Sequence, residues 1–311
     1  LFGKRVSSIN RLEYAFGKFN LFVERHVRTI FILPAVLFVL VMIVFPIGYT
    51  FYLSFFEWSM SGVAKPKWVF FENYKTLLFE DARFWSAVWR TFYFTIFALV
   101  LEVVLGVAIA VLLDRNHRAK NLVKTLFMLP MVATPVAIGL VWLLIYEPTI
   151  GLANQILKWV GLEPQLWIGS KSQAIPSLVL VDVWQWTPMI ALIVMAGLTT
   201  LPQENYEAAE IDGASSWQTF WSITLPLLRP TIFAAALLRS IDALKTFDII
   251  YTMTQGGPGF ASETLNIYGY HLGFQYFQLG KTSALLMLFF LLILVISFVI
   301  IKIRQRLEVY N

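Results

Sequence analysis

EAAEIDGASSWQTFWSITLP, running from Glu207 to Pro226, is a largely polar segment centred on Gly213 and set between two long apolar stretches. Such a break divides the flanking runs into separate elements, each long enough to cross a bilayer. Within it, residues 203 to 212 favour helix, with Pro202 at the entrance and Glu204 and Glu207 in the first turn, where carboxylates suit the positive end of the helix dipole. Gly213 supplies a position free of Cβ strain at which one helix stops and the next begins. The second helix carries Trp217, Phe220 and Trp221, and Pro226 is expected to end it. The segment, with its margins about 201–229, reads as a rigid helical hairpin on the membrane surface.

Outward from this hairpin the chain is apolar. Of 311 residues 58% are hydrophobic and 14% charged, too apolar a balance for a soluble domain. The surplus falls into six blocks, near 30 to 56, 91 to 113, 124 to 146, 174 to 200, 230 to 250 and 282 to 301. The fold class is therefore an all-α polytopic membrane protein of six spans occupying 30–311. Ahead of them, in residues 1–29, Leu12, Ala15, Phe16, Phe19, Phe22 and Val23 fall on one helical face with Arg11, Glu13, Lys18 and Glu24 elsewhere, the pattern of a helix lying in the inner interface.

Lys and Arg set the orientation. Lys4, Arg5, Arg11, Lys18, Arg25 and Arg28 precede the first span, Arg115, Arg118, Lys120 and Lys124 cluster after the second, and Lys302, Arg304 and Arg306 follow the sixth. The alternate loops are poorer in basic residues for their length, and 251 to 280 holds none. Both termini and the Glu207 hairpin are expected in the cytoplasm. The formal charge of +5 lies at those edges, which fits membrane orientation rather than nucleic acid as a partner.

The same residues exclude several chemistries. His26, His117 and His271 are scattered and there is no cysteine, so neither a metal site nor a catalytic cluster is visible. Leu279-Gly280-Lys281-Thr282 ends like a phosphate loop, but Gln275 stands where its first glycine belongs, so no nucleotide cofactor is expected in this chain.

Glu207, Ala208, Ala209, Gly213, Ile223, Leu225 and Pro226 stand at the spacing EAA, three residues, Gly, nine residues, I-x-L-P, which resembles the signature loop of ABC importer permeases. LPAVLFVLVMIVFPIGYTFYLSFFEW (Leu33 to Trp58), FFENYKTLL (Phe70 to Leu78) and FDIIYTMTQGGPG (Phe247 to Gly259) resemble the carbohydrate permeases of the maltose and glycerol phosphate class, with the GGP loop of the larger subunit. Within that class the likeness to carriers of alginate is strongest. The resemblance implies a passive subunit in the inner membrane, paired with a second permease and a solute-binding protein. It also implies two ATPase subunits that dock on the hairpin and hold the ATP and magnesium. Substrate would be an oligosaccharide moved by alternating access.

Ionisable residues inside spans cost about 2.5 to 3.5 kcal/mol each on insertion scales and so point to function. They cluster here. Arg239, Asp242, Ala243 and Thr246 stand at i, i+3, i+4 and i+7 on one helical face, with Lys245 off it, and Asp182, Gln185 and Trp186 form a second face beside Trp184. By resemblance, the sugar-contacting positions of the maltose permease fall at Asp182, Gln185, Trp186, Arg239, Asp242, Ala243, Thr246 and, after Pro130, at Met131. Their charge suits an acidic saccharide, with Arg239 forking a carboxylate and Trp186 stacking on a ring. The bland alternative is structural: Arg239 with Asp242, and Lys245 with Asp248, are spaced to neutralise one another. Glu102 is expected only to bond within the bundle. A rival function, an ion-coupled secondary sugar transporter, would use Asp182 and the charged fifth span as a relay.

Overall fold

Each apolar block forms a helix, and prolines and left-handed residues decide where it bends or stops. The computed structural model describes residues 26–29, 31–60, 65–114 and 120–309. The expected amphipathic segment, including Leu12 to Val23, lies outside them. Helix α1 spans His26–Leu53 and packs on little of its own chain, so its apolar surface is exposed. Two short strands, Phe56–Glu57 and Lys67–Trp68, follow as an antiparallel pair in the register Phe56 to Trp68.

Helix α2 runs Ala82–Asp114, beginning nine residues before the apolar block expected from 91. The third block breaks into α3, Lys120–Val132, and α4, Pro135–Ile145, which meet at 98°. Pro135 has no N–H to continue the ladder and forces the residue before it out of helical geometry, and Thr134 is accordingly extended at φ −67°, ψ 141°. A short helix α5, Leu152–Trp159, leads to α6, Ala174–Leu198.

Helix α7, Gln203–Ile211, is the first arm of the hairpin, and α8, Ser216–Leu244, is both its second arm and the fifth span. This corrects the expected stop at Pro226. A π-helical stretch, Phe220–Thr224, precedes that proline, and another, Leu40–Val44, precedes Pro46 in α1. The wider turns absorb the missing N–H groups, so both helices continue. The fifth span also ends earlier than the expected 250. Asn266 Nδ2 donates to the Lys245 carbonyl at 2.6 Å, closing α8, and a separate α9, Asp248–Thr254, begins beyond it. Helix α10, Leu265–Tyr270, and the last span α11, Leu279–Val309, complete the chain.

Helices α2, α6 and α8 form the centre. At Gly106 of α2 a Cβ would stand 2.6 Å from Ile190 Cγ2 of α6, so glycine is what permits that approach. Val107, Ala110, Ile190, Val194, Leu228 and Ala235 fill the core toward the hairpin, while Phe94, Ala98, Leu178 and Ile249 fill it at the other end.

Candidate functional site

Where α6 and the end of α8 meet the broken third span lies a cavity of about 350 Å³. Asp182, Trp186, Arg239, Asp242, Lys245 and Thr246 line it, all singled out by sequence, together with Pro135, Phe247, Asp248 and Ile249. Thr246 reaches it although α8 has ended, because its N–H still bonds the Ala243 carbonyl at 3.2 Å. Lys245, expected to point off that face, turns in with it.

The ion pairs differ from those the spacing suggested. Arg239 is 1% exposed, and its Nε stands 2.7 Å from Glu102 Oε2 of α2. Its Nη2 bonds both Glu102 Oε1, at 2.9 Å, and Asp182 Oδ2 of α6. A guanidinium this deep needs charged partners at once, and the i+3 neighbour on its own helix lies nearer the exposed end. Asp242 instead holds Lys245 at 3.2 Å, with both side chains more than half exposed, and Asp248 takes no part in that pair. Glu102, expected to have no role beyond the bundle, thus fixes the side chain on which the cavity is built. The half-buried Trp186 ring sits beneath Arg239, with Cζ 5.5 Å from its centroid.

The remaining sequence candidates do not line this cavity. Gln185 is fully buried and its Nε2 donates to the Ala133 carbonyl at 3.3 Å, a group freed by the break before Pro135. Trp184 packs edge-on against Trp142 of α4, centroids 5.7 Å apart. Met131 is half-buried on α3, and Ala243 is buried within α8.

At the far end of α8 the hairpin takes the form the sequence predicted, closed by backbone rather than by Glu207. Gly213 has φ +71°, the Ala214 N–H bonds the Ala209 carbonyl at 2.9 Å, and the Gly213 N–H bonds Glu210 at 3.1 Å, the paired closure of a helix on a left-handed residue. Ser215 caps α8, its hydroxyl accepting from the Gln218 N–H while Gln218 Oε1 accepts from the Ser215 N–H. Tyr206 donates to Thr224 at 3.0 Å and ties the arms together. The Glu207 carboxylate makes no hydrogen bond or ion pair among the described residues and lines a hollow of about 940 Å³ between the arms and Asp114. Ala208, Ala209, Ile223 and Pro226 line a shallower one of about 450 Å³, with Leu225 half-buried beside it. Ile211, Trp217 and Trp221 stand exposed at the tip, 86%, 70% and 51%.

The other end is stapled by side chains that sequence did not single out. Arg83 makes a bidentate pair with the buried Glu263, both contacts 2.6 Å, and His271 Nδ1 joins Glu263 at 2.6 Å. Asp81 accepts from Lys281 at 2.7 Å, from Tyr268 at 2.5 Å and from the Phe84 N–H at 3.1 Å. Burial pushes the Asp81 carboxyl up, but those bonds outweigh it and hold it below its ordinary range. Charged groups so far apart in sequence carry no local spacing by which to find them.

Residues 102–308 match the family model described as the binding-protein-dependent transport system inner membrane component. The chain belongs to this family. The permease is 36% identical over 285 residues to the trehalose/maltose transport system permease protein MalF of Thermococcus litoralis, covering 91% of this chain and 95% of that one. It is 32% identical over 280 residues to the sulfoquinovosyl glycerol transport system permease protein SmoG of Agrobacterium fabrum, covering 90% and 91%. Among solved structures it shares its fold with a chain of a bacterial ABC transporter involved in the import of the acidic polysaccharide alginate. There the TM-score is 0.80 and the identity 21%, over 91% of this permease and 97% of that chain.

Proposed function

We propose that this permease is the passive, translocating subunit of an ATP-driven oligosaccharide importer, working with a second permease, two ATPase subunits and an external solute-binding protein, its hairpin and both termini in the cytoplasm. One observation carries the reading. The helix that exposes Trp217 and Trp221 at the hairpin also carries Arg239 and Asp242 at the cavity. Its continuous run from 216 to 242 makes a rod of about 39 Å at 1.5 Å per residue. A push on the hairpin moves the cavity wall directly. Glu207, Ala208, Ala209, Gly213, Ile223, Leu225 and Pro226 form the dock, and the exposed aromatic tip supplies the apolar anchors that a protein interface needs. ATP and magnesium belong to the docked subunits.

An ion-coupled carrier would need Asp182 free to exchange its ion, and Arg239 occupies it. For substrate, Asp182, Trp186, Arg239, Asp242, Lys245 and Thr246 are the contact candidates retained. Trp184, Gln185 and Ala243 become supports of the wall, and Met131 is set aside as a contact. The acidic reading relied on Arg239 offering its fork to a carboxylate, and Glu102 and Asp182 take up that fork. With Asp242 holding Lys245, both cations of the cavity are taken up internally and Asp248 adds a further carboxylate to its lining, which favours a saccharide recognised through its hydroxyls and one ring face. An alginate-like acidic saccharide would require Lys245 to leave Asp242. The test is reconstitution of the whole transporter, with neutral and uronate oligosaccharides compared for stimulation of ATP hydrolysis. Stimulation by saccharide-loaded binding protein is expected, and its absence with every saccharide would overturn the importer reading.

A further inference from the structure

Away from the cavity, where α2 enters its apolar run and α6 begins, lies a second hollow of about 260 Å³. Arg90 and Lys171 both line it, together with Ser172, Trp89 and Tyr93, and no carboxylate is among its lining residues. Arg90 Nη1 is buried there without a hydrogen-bond partner, and neither cation makes an ion pair among the described residues. Glu263, the carboxylate that acts on Arg90 through space, is already engaged by Arg83 and His271. The Lys171 side chain lies along the loop after α9, its Cε 3.0 Å from where a Cβ on Gly259 would stand. The first turn of the 25-residue α6 adds its positive dipole end through Ile175 and Pro176.

Two cations, one of them with an unpaired buried guanidinium nitrogen, and a helix start ask for an oxyanion. The surface below identifies its source. Trp89, Ile96 and Val100 stand exposed on one face of α2 with the half-buried Tyr93 between them, and the exposed Phe97 ring lies tilted against Tyr93 at 4.5 Å, so an apolar track leads from the hollow along the span. Exposed tryptophan at the end of an apolar run marks headgroup depth. We propose that this hollow is a phospholipid site, with the headgroup phosphate between Arg90 and Lys171 and an acyl chain along the Trp89 to Val100 face.

Native mass spectrometry of the delipidated transporter complex tests it, with phosphatidylglycerol, diacylglycerol and inorganic phosphate added in turn to wild type and to Arg90→Gln/Lys171→Gln. Wild type is expected to retain phosphatidylglycerol about tenfold more tightly than the double variant, the loss of charged hydrogen bonds. Diacylglycerol should bind neither, and millimolar phosphate should not displace the lipid. Equal lipid retention by both proteins would overturn the proposal. So would displacement by free phosphate, which assigns the site to a soluble anion, or a variant that keeps its lipid yet loses the binding protein, which assigns it to a protein dock. Lys171→Gln alone, at an exposed position, carries the same expectation at smaller size, so a folding defect at Arg90 does not shelter the idea.

Discussion

Glu102 in the second span and Arg239 in the fifth meet at 2.7 Å, although they stand far apart in the chain and both side chains are buried. With Asp182 the pair ties α2, α6 and α8 at one point. Removing the cation would strand two buried carboxylates, so Arg239→Met is expected to lower stability by about 3 to 5 kcal/mol. Glu102→Gln leaves Asp182 as partner and should cost less. Thermal unfolding of the purified complex measures both, and an Arg239→Met protein as stable as wild type would show that the triad does not hold the bundle.

Gly213 at φ +71° makes a second expectation. A Cβ there meets nothing within 4 Å, so any penalty comes from backbone conformation alone. Gly213→Val should strain the turn by about 1 to 2 kcal/mol and uncouple ATP hydrolysis from saccharide. Gly213→Asn, which tolerates the left-handed region, should keep coupling. Equal stimulation of hydrolysis in the valine variant would remove the hairpin from the mechanism.

Most of the architecture was legible because its signals are local. The apolar blocks gave the spans, and Gly213 with its flanking helix formers gave the hairpin. What escaped was set by contacts across the chain. Nothing near Lys245 announces the end of α8, since Asn266 closes it from another element. Pro226 reads as a stop, yet the π-helical turn before it lets the helix continue. The two faces were found by their period, and five of their residues do line one space, joined by Lys245 from off the face, but partner choice was not found. Spacing offered Asp242 to Arg239, whereas depth selected Glu102 and Asp182. An acidic residue inside an apolar helix was the one available pointer to Glu102.

Asp81 makes stability depend on pH at the end away from the hairpin. Its bonds from Lys281, Tyr268 and Phe84 hold the folded carboxyl below its ordinary value despite burial. A depressed folded pKa stabilises above the unfolded value and loses that contribution as pH falls through the folded one. The melting temperature of wild type should exceed that of Asp81→Asn at neutral pH, and the gap should narrow on acidification through and below the carboxylate range. A gap that stays constant with pH would mean the carboxylate charge does not contribute.

Lys245 decides how the cavity treats charge. It is the cavity's exposed cation, and Asp242 holds it at 3.2 Å across water-accessible space, where an ion pair contributes only about 0 to 1 kcal/mol. Asp242→Asn therefore frees an ammonium at little structural cost. If the native site reads hydroxyls, that variant should gain stimulation by uronate oligosaccharides while a neutral one keeps its effect within a few-fold. Lys245→Gln should leave the neutral saccharide similarly unaffected. If instead the native substrate is acidic, wild type already responds to uronates and Lys245→Gln abolishes the response. Measuring saccharide-stimulated ATP hydrolysis for the three proteins separates the cases, and a Lys245→Gln loss confined to uronates would overturn the hydroxyl reading in favour of an acidic saccharide.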